Sequence, residues 1–341
     1  MTAKILTPTL HDVAARSGVS TATVSRALNF PDQVAEPTRT KVLAVVRDLG
    51  YSPNFGAKAM ASRRTNTIGA IIPTMENAIF ARGLQAFQDE LRVNGFTLLV
   101  ASSSYNPDQE EEQIHALVAR GADGLLMIGH DRDERIYRFL AARRIPILVA
   151  WALDRAIDRP SVGFDNYMAM QALVREVIEQ GHRRFAMISA PVAANDRARA
   201  RVQGVRDAMT AAGLDGNSLP VIETPYGIEN GANAFATLMT RPLRPTVVLC
   251  GNDVLAVGAM RRAREMGVDV PGKVSITGFD DIELAQVTVP GLTTVHVPHR
   301  QMGYRAAQLL VWMVQGNGSA ETVELAVELR LRGSLAPPSA R

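Results

Sequence analysis

Residues able to do catalytic or metal chemistry are thinly spread in this chain. The six histidines, at 11, 115, 130, 182, 296 and 299, show no metal-ligand spacing beyond His296 and His299, which flank a Val-Pro and read as surface residues on a cleft-lining crossover. No glycine loop has the pattern that cradles a phosphate or a dinucleotide, and no serine sits in a nucleophile elbow. Glu110 to Glu112 read as the acidic first turn of a helix, where negative charge meets the positive end of the helix dipole. The densest functional chemistry lies in Leu10 to Asn29, LHDVAARSGVSTATVSRALN, where hydroxyls and arginines alternate with apolar residues at helical spacing.

The elements that would position those groups follow from the same stretch. Leu10 to Ser17 reads as a short helix with Val13 and Ala14 facing inward. Gly18 ends it, because glycine takes the left-handed backbone of such a cap without steric cost. Ser20 is a good N-cap for a second helix. Two short helices joined by a tight glycine turn form a helix-turn-helix, whose second helix can lie in a DNA major groove. Phe30-Pro31-Asp32 is a turn, and Glu36-Pro37-Thr38 opens a third helix that runs to about Leu49 and ends at Gly50. Val13, Ala14, Val19, Val24, Leu28, Val42 and Val46 make one small shared core. Residues 54 to 62 could add one or two helical turns before the polar connector 63 to 67.

From Ile68 the pattern changes. Apolar runs at 68–72, 96–101, 124–128 and 145–151 alternate with helical patterns near 81–94, 108–120 and 133–143. A second set has strands at 185–189, 221–222, 246–250 and 274–279 and helices near 167–180, 198–212, 230–239 and 254–266. Continuous apolar strands separated by amphipathic helices predict doubly wound parallel sheets, here in two lobes. Ligands of such lobes sit beyond the carboxyl ends of the strands, so a small molecule is expected in the cleft between them.

Composition agrees with a globular reading. The chain has 341 residues, is 47% hydrophobic and has a single cysteine, Cys250, which argues against a disulfide framework and for a reducing compartment. No signal-peptide core or membrane-length apolar run appears, so the expected location is the cytoplasm. Residues 1 to 64 carry nine Lys/Arg against four acids, whereas the rest carries 28 against 30. A basic head on a slightly acidic body suits contact of the head alone with a polyanion.

Several segments together resemble the LacI/GalR family of transcriptional repressors: TLHDVAARSGVSTATVSRALN, the third helix ending in LGYSPN, RTNTIGAIIP, EQGHRRFAMI, CGNDVLAVGAMRRAREMGVDVPGKVSITGFDD and PGLTTV. Their order and spacing match over nearly the whole chain. The resemblance implies an α/β protein with an N-terminal helix-turn-helix domain at 1–53, a hinge helix and linker at 54–66, and a two-lobed periplasmic-binding-protein-like body at 67–341. The lobe boundary falls near 164, with further crossovers near 294 and 325.

It also implies roles. Thr21, Ala22 and Arg26 stand where the family reads base edges; arginine can pair with guanine through two hydrogen bonds, and Thr-Ala can pack on a thymine methyl. Ser20, Thr23 and Ser25 read as caps and phosphate contacts, with Asn29, Tyr51, Asn54 and Ala57 completing the DNA-facing set. Met60 takes the place of a leucine that wedges into the minor groove, and Gly56 weakens the hinge helix. The bland readings are a solvated surface arginine for Arg26 and a core methionine for Met60.

For the effector, the implied cleft residues are Ile79, Phe80, Arg201, Tyr226 and Asp253, with Trp151 and Asp280 next and Asp165 and Asp281 beside them. An aromatic face with Arg and Asp would suit a sugar or a heterocycle. Phe80 and Trp151 could instead be core, and Asp253 a helix cap. Arg199 lies two residues from Arg201 and so points elsewhere on a helix. No cofactor, metal or catalytic activity is expected. The expected partners are double-stranded operator DNA, a sugar-like effector and a second copy of the chain; the tail after Arg332 has no heptads for a coiled coil. The alternative reading is a solute-binding protein of the same two-lobed fold without a DNA role.

Overall fold

The structure, a computed structural model, describes residues 8–52, 64–76, 78–319 and 321–339. It divides into two units, Met1–Thr65 and Asn66–Arg341. The first unit holds helices α1 (Leu10–Ser17), α2 (Thr21–Asn29) and α3 (Glu36–Leu49), with a short 3-10 turn at Pro31–Gln33. Thr9 starts α1 through a reciprocal capping box: its hydroxyl accepts from the Asp12 N–H at 3.3 Å, and the Asp12 carboxylate accepts from the Thr9 N–H at 2.8 Å. Gly18 takes φ 66° at the end of α1 and Gly50 φ 61° at the end of α3. The core is Val13, Ala14, Val24, Ala27 and Val42. Val19, Leu28 and Val46, expected inside, are only half-buried. On α2 the inward line runs through 24 and 27, which leaves Leu28 on the flank.

The second unit has two parallel sheets. In the first, β1 (Thr67–Ile72), β2 (Thr97–Ser102), β3 (Gly124–Ile128), β4 (Ile147–Ala150), β5 (Ser161–Gly163) and β11 (Val323–Glu324) lie in the order β11-β5-β4-β3-β1-β2. In the second, β6 (Phe185–Ser189), β7 (Val221–Glu223), β8 (Val247–Cys250) and β9 (Ser275–Thr277) lie in the order β7-β6-β8-β9. Strands β10 (Thr294–His296) and β12 (Glu328–Arg330) pair antiparallel. Helices α4 (Ala78–Val93), α5 (Pro107–Ala119) and α6 (Glu134–Ala142) belong to the first lobe. Helices α7 (Asn166–Glu179), α8 (Asp196–Ala211), α9 (Ile228–Met239), α10 (Asp253–Glu265) and the short α11 (Leu284–Val287) belong to the second. The central strands β1 and β3 are buried throughout, whereas β2, at the sheet edge, leaves Val100 exposed.

One helix departs from the periodicity reading. α12 (His299–Val314) returns the chain to the first lobe and packs along α4. A Cβ on Gly303 would lie 1.9 Å from the Gly83 carbonyl oxygen, so the helices touch backbone to backbone there. His299, expected on the surface, is 3% exposed at the start of this helix. The segment 296–299 looks like a polar crossover in sequence; the helix that follows buries its last residue.

Candidate functional site

In the first unit, α2 turns Val24 and Ala27 inward, and the same pitch leaves Thr21, Ala22 and Arg26 exposed. Arg26 makes no ion pair with the described residues, so its five N–H donors are available. Ser20 and Thr23 are partly committed to the helix start: Ser20 Oγ accepts from the Thr23 N–H at 3.1 Å and lies 2.9 Å from the Thr23 hydroxyl. Asn29 Nδ2 donates to the Ser25 carbonyl at 2.9 Å, closing the end of α2. Tyr51 packs half-buried against the three-helix core. Asn54, Ala57 and Met60 lie outside the described residues.

In the second unit, Ile79, Phe80, Trp151, Arg201, Tyr226 and Asp280 converge on one small cavity of about 20 Å³ between the lobes, room for about one water. Each stands just past the carboxyl end of a strand or on the helix that follows. Arg201, 6% exposed, donates from Nη1 to Asn166 Oδ1 at 2.5 Å and from Nη2 to the Tyr226 hydroxyl at 2.8 Å, and its guanidinium lies 4.9 Å from the centre of the Phe279 ring. Trp151 Nε1 donates to His299 Nδ1 at 3.0 Å. Burial holds the His299 imidazole down to about 3, so it accepts that bond in its neutral form. His299 Nε2 lies 3.9 Å from Asp280 Oδ1. Burial pushes the Asp280 carboxyl well above the usual carboxylate range, against the pull of Arg201.

Asp253 stands apart from this group. It is 1% exposed, and its oxygens accept from the Thr294 hydroxyl at 2.6 Å and the Ile282 N–H at 2.8 Å. It ties the start of α10 to the strand ends opposite, while Asn252 caps the helix. Burial raises its carboxyl to about 7 despite those two hydrogen bonds. Asp165 caps α7 through the N–H groups of Tyr167 and Met168. Asp281 is held between Arg332 at 2.7 Å and His296 at 2.9 Å. Arg199 faces away from the small cavity and bridges the lobes to Asp131 at 2.9 Å. Among the described residues, no group of three or more His, Cys, Asp or Glu could hold a metal ion.

Four cavity residues had no counterpart in the sequence reading: Tyr105, Phe164, Asn166 and Arg197. The strand-end rule would have found Tyr105, which follows β2. Its ring centroid lies 6.0 Å from that of Tyr226, and both rings also line an outer cavity of about 650 Å³. The two tyrosines, one from each lobe, therefore separate the deep cavity from the open cleft. Burial raises the Tyr105 hydroxyl above its ordinary range, so it stays a neutral donor. Tyr105, Trp151 and Asp280 all have positive φ, 58°, 62° and 104°, and three strained residues around one cavity mark it as a built site.

A helix-turn-helix head and a two-lobed body with a cleft at the strand ends define a DNA-binding regulator under small-molecule control. A model of the bacterial regulatory proteins of the lacI family matches residues 9–54, and one of the periplasmic binding protein-like domain matches residues 174–335. The chain is 33% identical over 331 residues to the HTH-type transcriptional repressor PurR of Proteus mirabilis, covering 96% of this chain and 97% of that one. It is similar to a LacI-family transcriptional regulator of Silicibacter pomeroyi, with a TM-score of 0.88 at 26% identity over 96% of this chain and 99% of that one. It is also similar to the lac repressor dimer bound to operator and the anti-inducer ONPF, with a TM-score of 0.84 at 25% identity and the same coverage. The chain belongs to the LacI family of bacterial regulatory proteins. Among the described residues, no helix is long and apolar enough to cross a membrane.

Proposed function

We propose that the chain is a cytoplasmic, non-enzymatic repressor that binds a pseudo-palindromic operator as a homodimer and releases or grips it according to a sugar-like effector held between the lobes. The observation that carries this reading is the convergence of Ile79, Phe80, Trp151, Arg201, Tyr226 and Asp280 on one cavity whose walls come from both lobes. A ligand that bridges the walls binds closed and open lobes differently, and that difference is what can shift DNA affinity.

On the DNA side, Thr21, Ala22 and Arg26 read bases, Ser20, Thr23 and Ser25 set the helix on the phosphates, and Met60 wedges the minor groove. The exposure of Thr21, Ala22 and Arg26 on one face of α2 supports this division. The dimer is supported by exposed apolar residues on the edge strand β2, where Val100 is 39% exposed, and at the end of α4, where Val93 is 75% exposed, and by the dimeric, operator-bound state of the related lac repressor. The test is a thermal-shift screen of sugars, sugar acids and nucleosides, followed by operator binding with each hit and sedimentation at working concentration. A stabilising ligand that leaves operator affinity unchanged, or a strictly monomeric chain, would overturn the reading. Met60→Ala should lower both operator affinity and bending.

A further inference from the structure

The Arg201 guanidinium is presented to the cavity on neutral partners. It is buried, yet its hydrogen-bond partners are neutral: the Asn166 side-chain carbonyl on Nη1 and the Tyr226 hydroxyl on Nη2. Its Nε is buried with no hydrogen-bond partner among the described residues. Nε and Nη2 form one edge of the planar guanidinium, the edge that matches the two oxygens of a carboxylate. Here one position of that edge makes no hydrogen bond among the described residues and the other is held by a single displaceable hydroxyl. The Phe279 ring lies against the guanidinium and keeps water away, which strengthens any charge met there. A second guanidinium, Arg197, lines the same cavity, paired with Asp196 at 2.9 Å.

Taking the cleft as the effector site, we propose that the effector carries a carboxylate, bound side-on by the Nε and Nη2 edge of Arg201 in place of the Tyr226 hydroxyl. The chemical class is a hydroxy acid of sugar size, an aldonate or a uronate. The dimensions suit this arrangement. The deep cavity has room for about one water, so the carboxylate enters it only by taking the place of the Tyr226 hydroxyl as well, while the outer cavity of about 650 Å³ beyond Tyr105 and Tyr226 has room for a polyhydroxylated body. Arg197 supplies a second positive charge. Asp280, kept toward its protonated form by burial, can donate a hydrogen bond to the bound acid instead of repelling it. The ligand's hydroxyls would then meet Asn166 and the tyrosines, and its carbon chain the Trp151 and Phe80 rings.

The test uses the full chain and calorimetric titration with D-gluconate, D-galactonate, D-glucuronate and D-galacturonate, each beside its neutral amide and its parent sugar. At least one acid should bind about tenfold or more tightly than its amide, which preserves shape and removes the charge. Arg201→Gln should abolish that preference, and Arg201→Lys should restore only part of it, because an ammonium cannot make the paired contact. If either variant fails to fold, the comparison of acid with amide on the wild-type chain still decides. Tighter binding of the neutral parents or amides overturns the proposal but leaves a sugar-responsive cleft intact. Binding by none of the panel also overturns it, and the nucleoside arm of the wider screen then judges the effector site separately.

Discussion

The bond between Trp151 and His299 shows how much of the cleft depends on single polar contacts made in an apolar setting. Trp151 is packed edge-on against Phe80, with ring centroids 5.6 Å apart, and Gly83 leaves its ring room that no Cβ could share. Trp151→Phe removes the donor and leaves His299 Nδ1 buried without a partner, a loss of about 1–3 kcal/mol in urea unfolding. Trp151→Phe with His299→Leu should be no less stable than Trp151→Phe alone, since the orphaned acceptor is gone. A double variant markedly worse than the single one would mean that packing, not the hydrogen bond, holds the pair. Asp253 makes a different residue-scale prediction. Its folded-state carboxyl titrates at about 7 because burial favours the protonated form, above the 3.8 of an exposed aspartate. The folded chain therefore binds the more tightly held proton, and this group's contribution to stability is full below about pH 4 and is lost as pH rises through 7. The stability gap between wild type and Asp253→Asn, followed by urea unfolding from pH 4 to 8, should drift against wild type as pH rises. A gap that is flat, or that moves in wild type's favour, would show the carboxyl ionised throughout.

At the scale of elements, the sequence made the helix-turn-helix and most of the alternating body legible, because those features depend on local signals: apolar period, cap residues and glycines. Gly18 is the plainest case. Its φ is 66°, and a Cβ there would come no closer than 3.7 Å to Lys41 Nζ, so Gly18→Ala meets open space and suffers only the left-handed backbone, about 1 kcal/mol in thermal unfolding of the first unit. Gly303 has the opposite character. Its backbone is ordinary helix, but a Cβ would collide with the Gly83 carbonyl at 1.9 Å, so Gly303→Ala must push α12 off α4 and should destabilise the body by several times as much, on the order of 3 kcal/mol. Nothing local announces that difference. The contact joins residues about 220 positions apart. α12 is a different case: Met302, Ala306, Leu310 and Val314 give it a local helical period, and a reading of 296–299 as a crossover passes over it. The site divides differently. The family resemblance led to Ile79, Phe80, Trp151, Arg201, Tyr226 and Asp280, whereas Asn166 and Arg197, in the first turns of α7 and α8 after β5 and β6, hold the same strand-end position without being singled out by it. Asp253 fits the strand-end pattern equally well, and only its two hydrogen bonds across the strand ends separate it from the others.

For the whole molecule, the question is what sets the distance between the lobes. Contacts that cross the cleft near its mouth include Arg199 with Asp131 at 2.9 Å, Arg82 with Glu283 at 2.7 Å, and the His130 N–H with Asp196 Oδ2 at 2.6 Å. The two ion pairs are substantially exposed, so each is worth at most about 1 kcal/mol and neither can act as a lock. The His130 to Asp196 bond is more enclosed, and it forms where the backbone of Gly129, at φ 74°, comes against the second lobe. A Cβ on Gly129 would lie 2.0 Å from Arg197 Nη1 and 2.4 Å from Asp196 Oδ1. Arg197 can swing aside, but Asp196 cannot move without giving up its bond to His130. Gly129→Ala therefore acts as a wedge, with backbone strain added, and favours open lobes. Effector affinity should fall about tenfold, the equivalent of roughly 1.4 kcal/mol of closure, and the operator response should move to correspondingly higher effector concentration. Small-angle scattering without ligand should show a larger radius of gyration than wild type. An unchanged radius together with unchanged effector affinity would place the control of closure elsewhere than at this contact.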